Sequence, residues 1–146
     1  MFGPHLTLDL YQCSKQKISN AQFISVILRE MPEFIGMHCI SEPQVTEYHG
    51  REGSFDRGGI SAFVLLAESH ISIHTFPYDG FATVDIFSCK DFDLKKAQYF
   101  LMEKFEAKKA EKNFLIRGKS FVKHYPKTVA KAAQIVAKER KKVVKF

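Results

Sequence analysis

Three strand-like segments follow one another with almost no chain between them: Ile60 to Ala67, His70 to Phe76 and Phe81 to Cys89. Each has the length and apolar content of a strand. Between the second and third, Pro77-Tyr78-Asp79-Gly80 puts proline and Asp-Gly where a tight turn needs them. An antiparallel sheet is therefore predicted at the centre of the chain, and the flanking segments have to fit around it.

Upstream, His5 to Tyr11 alternates polar and apolar residues, the period of a half-buried strand. Ile18 to Met31 sets Phe23, Ile24, Ile27, Leu28 and Met31 at helical spacing, with Pro32 expected to end the helix. Ile35 to Val45 reads as a strand interrupted or ended near Pro43. Glu47 to Gly59 reads as a polar loop with four glycines, too mobile to be core. Downstream, Ser88, Asp91 or Asp93 is positioned to cap a helix from Leu94 to Lys109, with Ala97, Phe100, Leu101, Lys104 and Phe105 on one face. Asn113 to Ile116 suggests a short strand, and Lys127 to Lys142 a second amphipathic helix. The order gives an α+β fold, a two-layer sandwich with an antiparallel sheet and helices on one face. On the third central strand Ala82, Val84 and Ile86 point one way; Phe81, Thr83, Asp85, Phe87 and Cys89 point the other. The second set is too apolar for water and too polar for core, which suggests a buried site or a subunit contact.

Composition excludes several function classes. No apolar run approaches the roughly 20 residues that cross a bilayer, and Met1 to Cys13 has no secretory pattern. Cys13, Cys39 and Cys89 are odd in number and form no CxxC pair, so a reducing, cytoplasmic setting is expected. The net charge of +6 is local: nine Lys/Arg and one Glu lie from Lys119 onward, leaving thirteen basic against fifteen acidic residues before it. A basic tail on a near-neutral body reads as a solvated helix face, and no nucleic-acid motif accompanies it.

The segment Glu68-Ser69-His70-Ile71-Ser72-Ile73-His74-Thr75-Phe76-Pro77 concentrates hydroxyl and imidazole groups on an apolar strand. Buried polar groups cost stability unless hydrogen-bonded. The plainest reading is a set of satisfied strand hydroxyls. His70 and His74 make poor metal ligands, since on a strand they stand about 13 Å apart, and no HExxH pattern is present. Ser69 is not in a GxSxG elbow, which weakens a Ser-His hydrolase.

The stretch ESHISIHTFPYDGFATVDIFSC resembles the signature of the prokaryotic S-adenosylmethionine decarboxylases, which are pyruvoyl enzymes. The resemblance extends upstream through Gly58-Gly59-Ile60-Ser61-Ala62 to His5-Leu6, with Tyr11 and Cys13 in similar places, and covers about residues 3 to 115. It implies a decarboxylase domain over 1–118, self-cleaved between Glu68 and Ser69 into 1–68 and 69–146, with 119–146 a basic amphipathic extension. Ser69 becomes the pyruvoyl group, the only cofactor, with no metal, and holds the substrate amine as a Schiff base. His74 matches the family's processing base, Ser61 a serine supporting processing, and Cys89 the proton donor. Phe55 and Phe76 match positions that stack on adenine, Phe76 standing where tryptophan is usual. Tyr78 stands where a glutamate binds the ribose, with Asp79 beside it as a substitute. The implied substrate is S-adenosylmethionine, for spermidine biosynthesis. Alternatives are arginine or ornithine, whose distal cation would need Asp79, Asp85 or Glu47, and a non-catalytic binding homologue. The resemblance also implies a homodimer, with Phe55 and Phe76 reaching a neighbouring subunit's site. Strict alternation sets Ser69 and His74 on opposite faces of one strand. A bulge or turn near Ser69 would remove that conflict.

Overall fold

The computed structural model describes residues 2–124, so the helix expected over Lys127 to Lys142 lies outside the described residues. Leu6, Leu8 and Leu10 alternate inward along β1 (Gly3–Tyr11) and are buried. After a short α1 (Lys15–Ile18), α2 (Ala21–Phe34) begins where the Asn20 side chain accepts the Phe23 N–H at 2.9 Å, a side-chain N-cap. The strands β2 (Gln44–Tyr48), β3 (Gly59–Leu66), β4 (Ser69–Phe76) and β5 (Phe81–Ser88) follow. Then come α3 (Leu94–Phe105), capped by Asp93, and β6 (Lys109–Arg117).

All strand pairs are antiparallel, in the order β2-β3-β4-β5-β1-β6. One sheet face, carrying Ala62, Val64, Ile71, Ile73, Val84, Ile86 and the leucines of β1, packs on Ile24, Ile27, Leu28 and Met31 of α2 and Ala97, Leu101 and Phe105 of α3. Fully burying one such aliphatic side chain is worth about 1.5–3 kcal/mol. The fold is the expected α+β sandwich with both long helices on one face.

Four expectations shift. Pro32 does not end its helix: it lies in the last turn of α2, where its missing N–H deprives only the Leu28 carbonyl, and the Cys39 thiol lies 3.9 Å from that oxygen. Ile35 to Val45 is not a strand. Ile35 and Met37 are buried from a loop that turns at Gly36 (φ 76°), its ladder contact being the bridge Cys39↔Leu66, and the strand starts only at Gln44, running on to Tyr48. The expected polar loop therefore shrinks to 49–58. α3 stops at Phe105, with Glu106 in the left-handed region at φ 52°. Its Lys104, expected on the apolar face, reaches outward to Glu30 at 2.8 Å, with its ammonium 5.3 Å from the centre of the Phe100 ring. The last strand spans nine residues rather than Asn113 to Ile116, because β1 provides a complete ladder from Gly3↔Arg117 to Tyr11↔Lys109.

Among the described residues no α-helix packs on the other sheet face. Phe63, Leu65 and Leu115 are exposed there, beside His5, His70, Ser72, His74, Asp85 and Phe87. This is the half-polar face expected from β5.

Candidate active site

The β3–β4 hairpin turns through Ala67 and Glu68, and Ser69 pairs with Leu66 on one side and Ser88 on the other. Ser69 has φ 148°, a region that side-chain-bearing residues adopt at a cost of about 1–3 kcal/mol. The carbonyl just before it is fixed: the Cys89 N–H donates to Glu68 O at 2.8 Å. A strained serine thus follows a carbonyl whose oxygen already has a hydrogen-bond donor.

The Glu68 side chain is fixed as well, though it is only 8% exposed. His38 N–H donates to Oε2 at 3.0 Å, His38 Nδ1 lies 2.9 Å from Oε1, and Lys90 Nζ lies 3.4 Å from Oε1. Burial pushes this carboxyl's pKa up, but the His38 side chain and backbone and Lys90 outweigh it, holding the group at about 2. It is a carboxylate throughout the neutral and mildly acidic range.

Ser61 and His74 are register partners at the other end of the hairpin, with Ser61 Oγ 3.0 Å from His74 Nδ1, and both are exposed on the sheet face opposite α2 and α3. Beyond them Phe76 stacks on Phe81, ring centroids 5.7 Å apart. The Arg57 guanidinium lies 4.8 Å from the Tyr78 ring centre and donates to Asp79 at 2.8 Å. Of these groups only Arg57 and Tyr78 border an open cleft of about 300 Å³, which Tyr48 and Ile60 also line; Ser61, His74, Phe76 and Asp79 lie outside its lining. Phe55, in the 49–58 loop, is 96% exposed.

The predicted residues therefore fall into two groups. Glu68, Ser69 and Cys89 meet at one end of β4; Ser61, His74, Phe76, Tyr78 and Asp79 gather toward the other. Five steps of extended strand separate Ser69 from His74, about 16 Å. No bulge shortens that span: the register on both sides of β4 is unbroken from Ser69 to Phe76. The expected rescue by a local bulge is absent, and one chain does not bring Ser69 and His74 together. The plain reading holds for Thr75, a core hydroxyl that accepts the Ile60 N–H at 3.0 Å.

Sequence reasoning missed His38, Lys90 and Arg57. Lys90 follows Cys89 directly, which was the one signal available; His38 sits 30 positions before Glu68 in a loop with no periodicity. Among the described residues, no group of three or more His, Cys, Asp or Glu side chains is placed to hold a metal ion.

The S-adenosylmethionine decarboxylase family model matches residues 4–118. The S-adenosylmethionine decarboxylase proenzyme of Clostridium botulinum (strain Loch Maree / Type A3) is 34% identical over 118 residues, covering 80% of this chain and 95% of that one. That of Synechococcus sp. (strain WH7803) is 34% identical over 131 residues, 89% of this chain and 91% of its own. The crystal structure of the adenosylmethionine decarboxylase from Aquifex aeolicus VF5 superimposes with a TM-score of 0.67 at 30% identity, over 80% of this chain and 91% of that one. A match over most of the chain, joined to a strained serine behind a hydrogen-bonded carbonyl, means that this chain belongs to the S-adenosylmethionine decarboxylase family of pyruvoyl-dependent proenzymes.

Proposed function

We propose that the chain cuts itself between Glu68 and Ser69 and that the mature enzyme decarboxylates S-adenosylmethionine, feeding spermidine synthesis. The observation that carries this reading is the backbone at the cleavage point: φ 148° at Ser69, with the preceding carbonyl oxygen held by the Cys89 N–H. Attack of Ser69 Oγ on the Glu68 carbonyl carbon forms a C–O bond and breaks the C–N bond, the freed nitrogen taking the hydroxyl proton. The oxygen that turns negative on the way is the one Cys89 N–H already faces. Loss of the Ser69 α-proton to a base then breaks the Cβ–Oγ bond and releases the Glu68 carboxylate. The remaining enamine tautomerises to an imine, takes up water and loses ammonia, leaving the pyruvoyl group. That group supplies an electron sink for the pair freed with CO₂.

His74 is proposed as the base for that α-proton, oriented by Ser61, and the Cys89 thiol as the donor that returns a proton to the product carbon. Because one chain holds His74 about 16 Å from Ser69, we read the active unit as a homodimer packed through the sheet faces that bear Ser61, His74 and Phe63. One chain's Ser61–His74 pair then serves the other's Ser69 and Cys89, and Phe55 and Phe76 reach the neighbour's site. The exposed Phe63, Leu65 and Leu115 support such packing. His70 supports it too: burial, with His5 and Arg117, lowers its pKa against the pull of Asp85, so it adds no charge to the face at neutral pH. The pairing of Asp79 with Arg57 favours an adenosyl substrate over arginine or ornithine, since that carboxylate already has a cation. Phe76 and Phe55 offer ring faces to adenine, and the Tyr78 hydroxyl a partner for the ribose.

Intact mass tests the reading. Purified protein is expected as two fragments, 1–68 and a pyruvoyl-blocked 69–146. The second gains one adduct with S-adenosylmethionine and cyanoborohydride, and none with arginine or ornithine. A single uncut chain with no adduct would overturn it.

A further inference from the structure

Glu68 is the residue whose carbonyl is attacked, yet no step of the chemistry uses its side chain. That side chain is nevertheless the most tightly held carboxylate described near the cleavage point. Two separate segments grip it: the loop after α2 through both the backbone N–H and the ring of His38, and the residue after Cys89 through the Lys90 ammonium. The grip is reciprocal, since Ala67 N–H donates to His38 O at 2.9 Å. His38 and Lys90 are themselves exposed, with side chains 75% and 46% accessible, so they add little to the core. We infer that His38 and Lys90 are positioning residues for self-cleavage: they lock the Glu68 side chain so that the Glu68–Ser69 peptide keeps its strained orientation toward Cys89.

The argument is geometric first. Residue 69 relaxes its φ of 148° most easily if the 68–69 peptide plane rotates, and that rotation would also break the 2.8 Å bond to the Cys89 N–H. With the Glu68 side chain anchored at two points and its carbonyl at a third, the plane cannot turn. Charge is the second part. A carboxylate beside a carbonyl that gains negative charge would oppose the attack, and the Lys90 ammonium and the His38 donors offset it. Cleavage then gives Glu68 a second carboxylate at the new chain end, beside the same cation. Cys39, also close to this group, stays a neutral thiol: burial and Glu42 raise its pKa, Arg29 lowers it, and Glu68 raises it.

This inference rests on the self-cleavage reading, and time-resolved intact mass of freshly made protein, from pH 5 to 8, separates the two. We expect His38→Leu and Lys90→Leu each to slow cleavage about tenfold or more, the scale of one lost charge-assisted hydrogen bond. His38→Asn and Lys90→Arg, which keep a donor or the charge, recover most of the rate. Thermal melting confirms that each variant is folded. If folded His38→Leu and Lys90→Leu cleave at the unsubstituted rate, the positioning role is wrong. Slowing that the conservative variants do not rescue reduces these residues to structural supports and also overturns it. If the unsubstituted chain is never cut, the self-cleavage reading fails first and takes this inference with it.

Discussion

Cys89 reaches the cleavage point through its backbone, 2.8 Å from the Glu68 oxygen, while its thiol is exposed. Substitution separates the two contributions. Cys89→Ala keeps the N–H, so cleavage is expected to proceed while turnover falls steeply or delivers the proton to the wrong atom, as product analysis by mass spectrometry would reveal. Normal decarboxylation by this variant would remove the thiol from the proton-donor role. Glu68 makes a prediction in pH. Its folded pKa of about 2 lies below the ordinary 4.5, so its contribution to stability is complete above about pH 4.5 and is lost as pH falls toward 2. The melting temperature of uncleaved Ser69→Ala protein should drop over that interval, and adding Glu68→Gln should make the drop shallower; equal drops would show that the His38–Lys90 grip does not stabilise the ionised form. Ser69, His74 and Cys89 are singled out in the sequence by the resemblance carried by ESHISIHTFPYDGFATVDIFSC; the hydroxyl and imidazole groups crowded on an apolar strand add only that a purpose is expected there. His38 is not singled out, because its meaning comes wholly from a loop folding back across 30 residues.

At the scale of elements, the β1–β5 pairing governs where Cys89 sits. A Cβ added at Gly3 would lie 1.9 Å from Ser88 O and 2.8 Å from the Cys89 Cα, both backbone atoms that cannot step aside. Gly3→Ala should therefore destabilise the uncleaved chain by roughly 1–3 kcal/mol, the usual scale for overpacking, and slow self-cleavage by shifting the Cys89 N–H. Unchanged denaturation and cleavage would mean that this strand end is loosely held. The meander β3-β4-β5 was readable to within a residue because each strand alternates against a buried face. β6 was not, because an edge strand with Lys109, Glu111, Lys112 and Asn113 along it has no such pattern; only its ladder with β1 defines it. The extent of α2 past Pro32 was hidden for a different reason. A proline in a last turn removes so little hydrogen bonding that the helix rule loses its force.

At the scale of the molecule, the separation of Ser69 from His74 turns the oligomer into a catalytic question. Mixing chains carrying Cys89→Ala with chains carrying His74→Ala should restore activity: in the mixed dimer one site combines an intact Ser69 and Cys89 with the other chain's intact His74. Activity no greater than the sum of the separate variants would argue that each site is built from a single chain. The fold class and the family's chemistry were legible from the sequence, and so was the conflict between Ser69 and His74 on one strand; that no bulge relieves it was not, since only the unbroken register of β4 shows a straight strand holding them about 16 Å apart. The strand order has one more consequence. A cut after Glu68 leaves β1, β2 and β3 in one fragment and β4, β5 and β6 in the other, yet β1 lies between β5 and β6, and β3 lies against β4. The two pieces are interleaved like the fingers of clasped hands. Severing the backbone there opens the chain for chemistry without giving either piece a way out, since the ladders and the core packed beneath them hold residues from both sides of the cut.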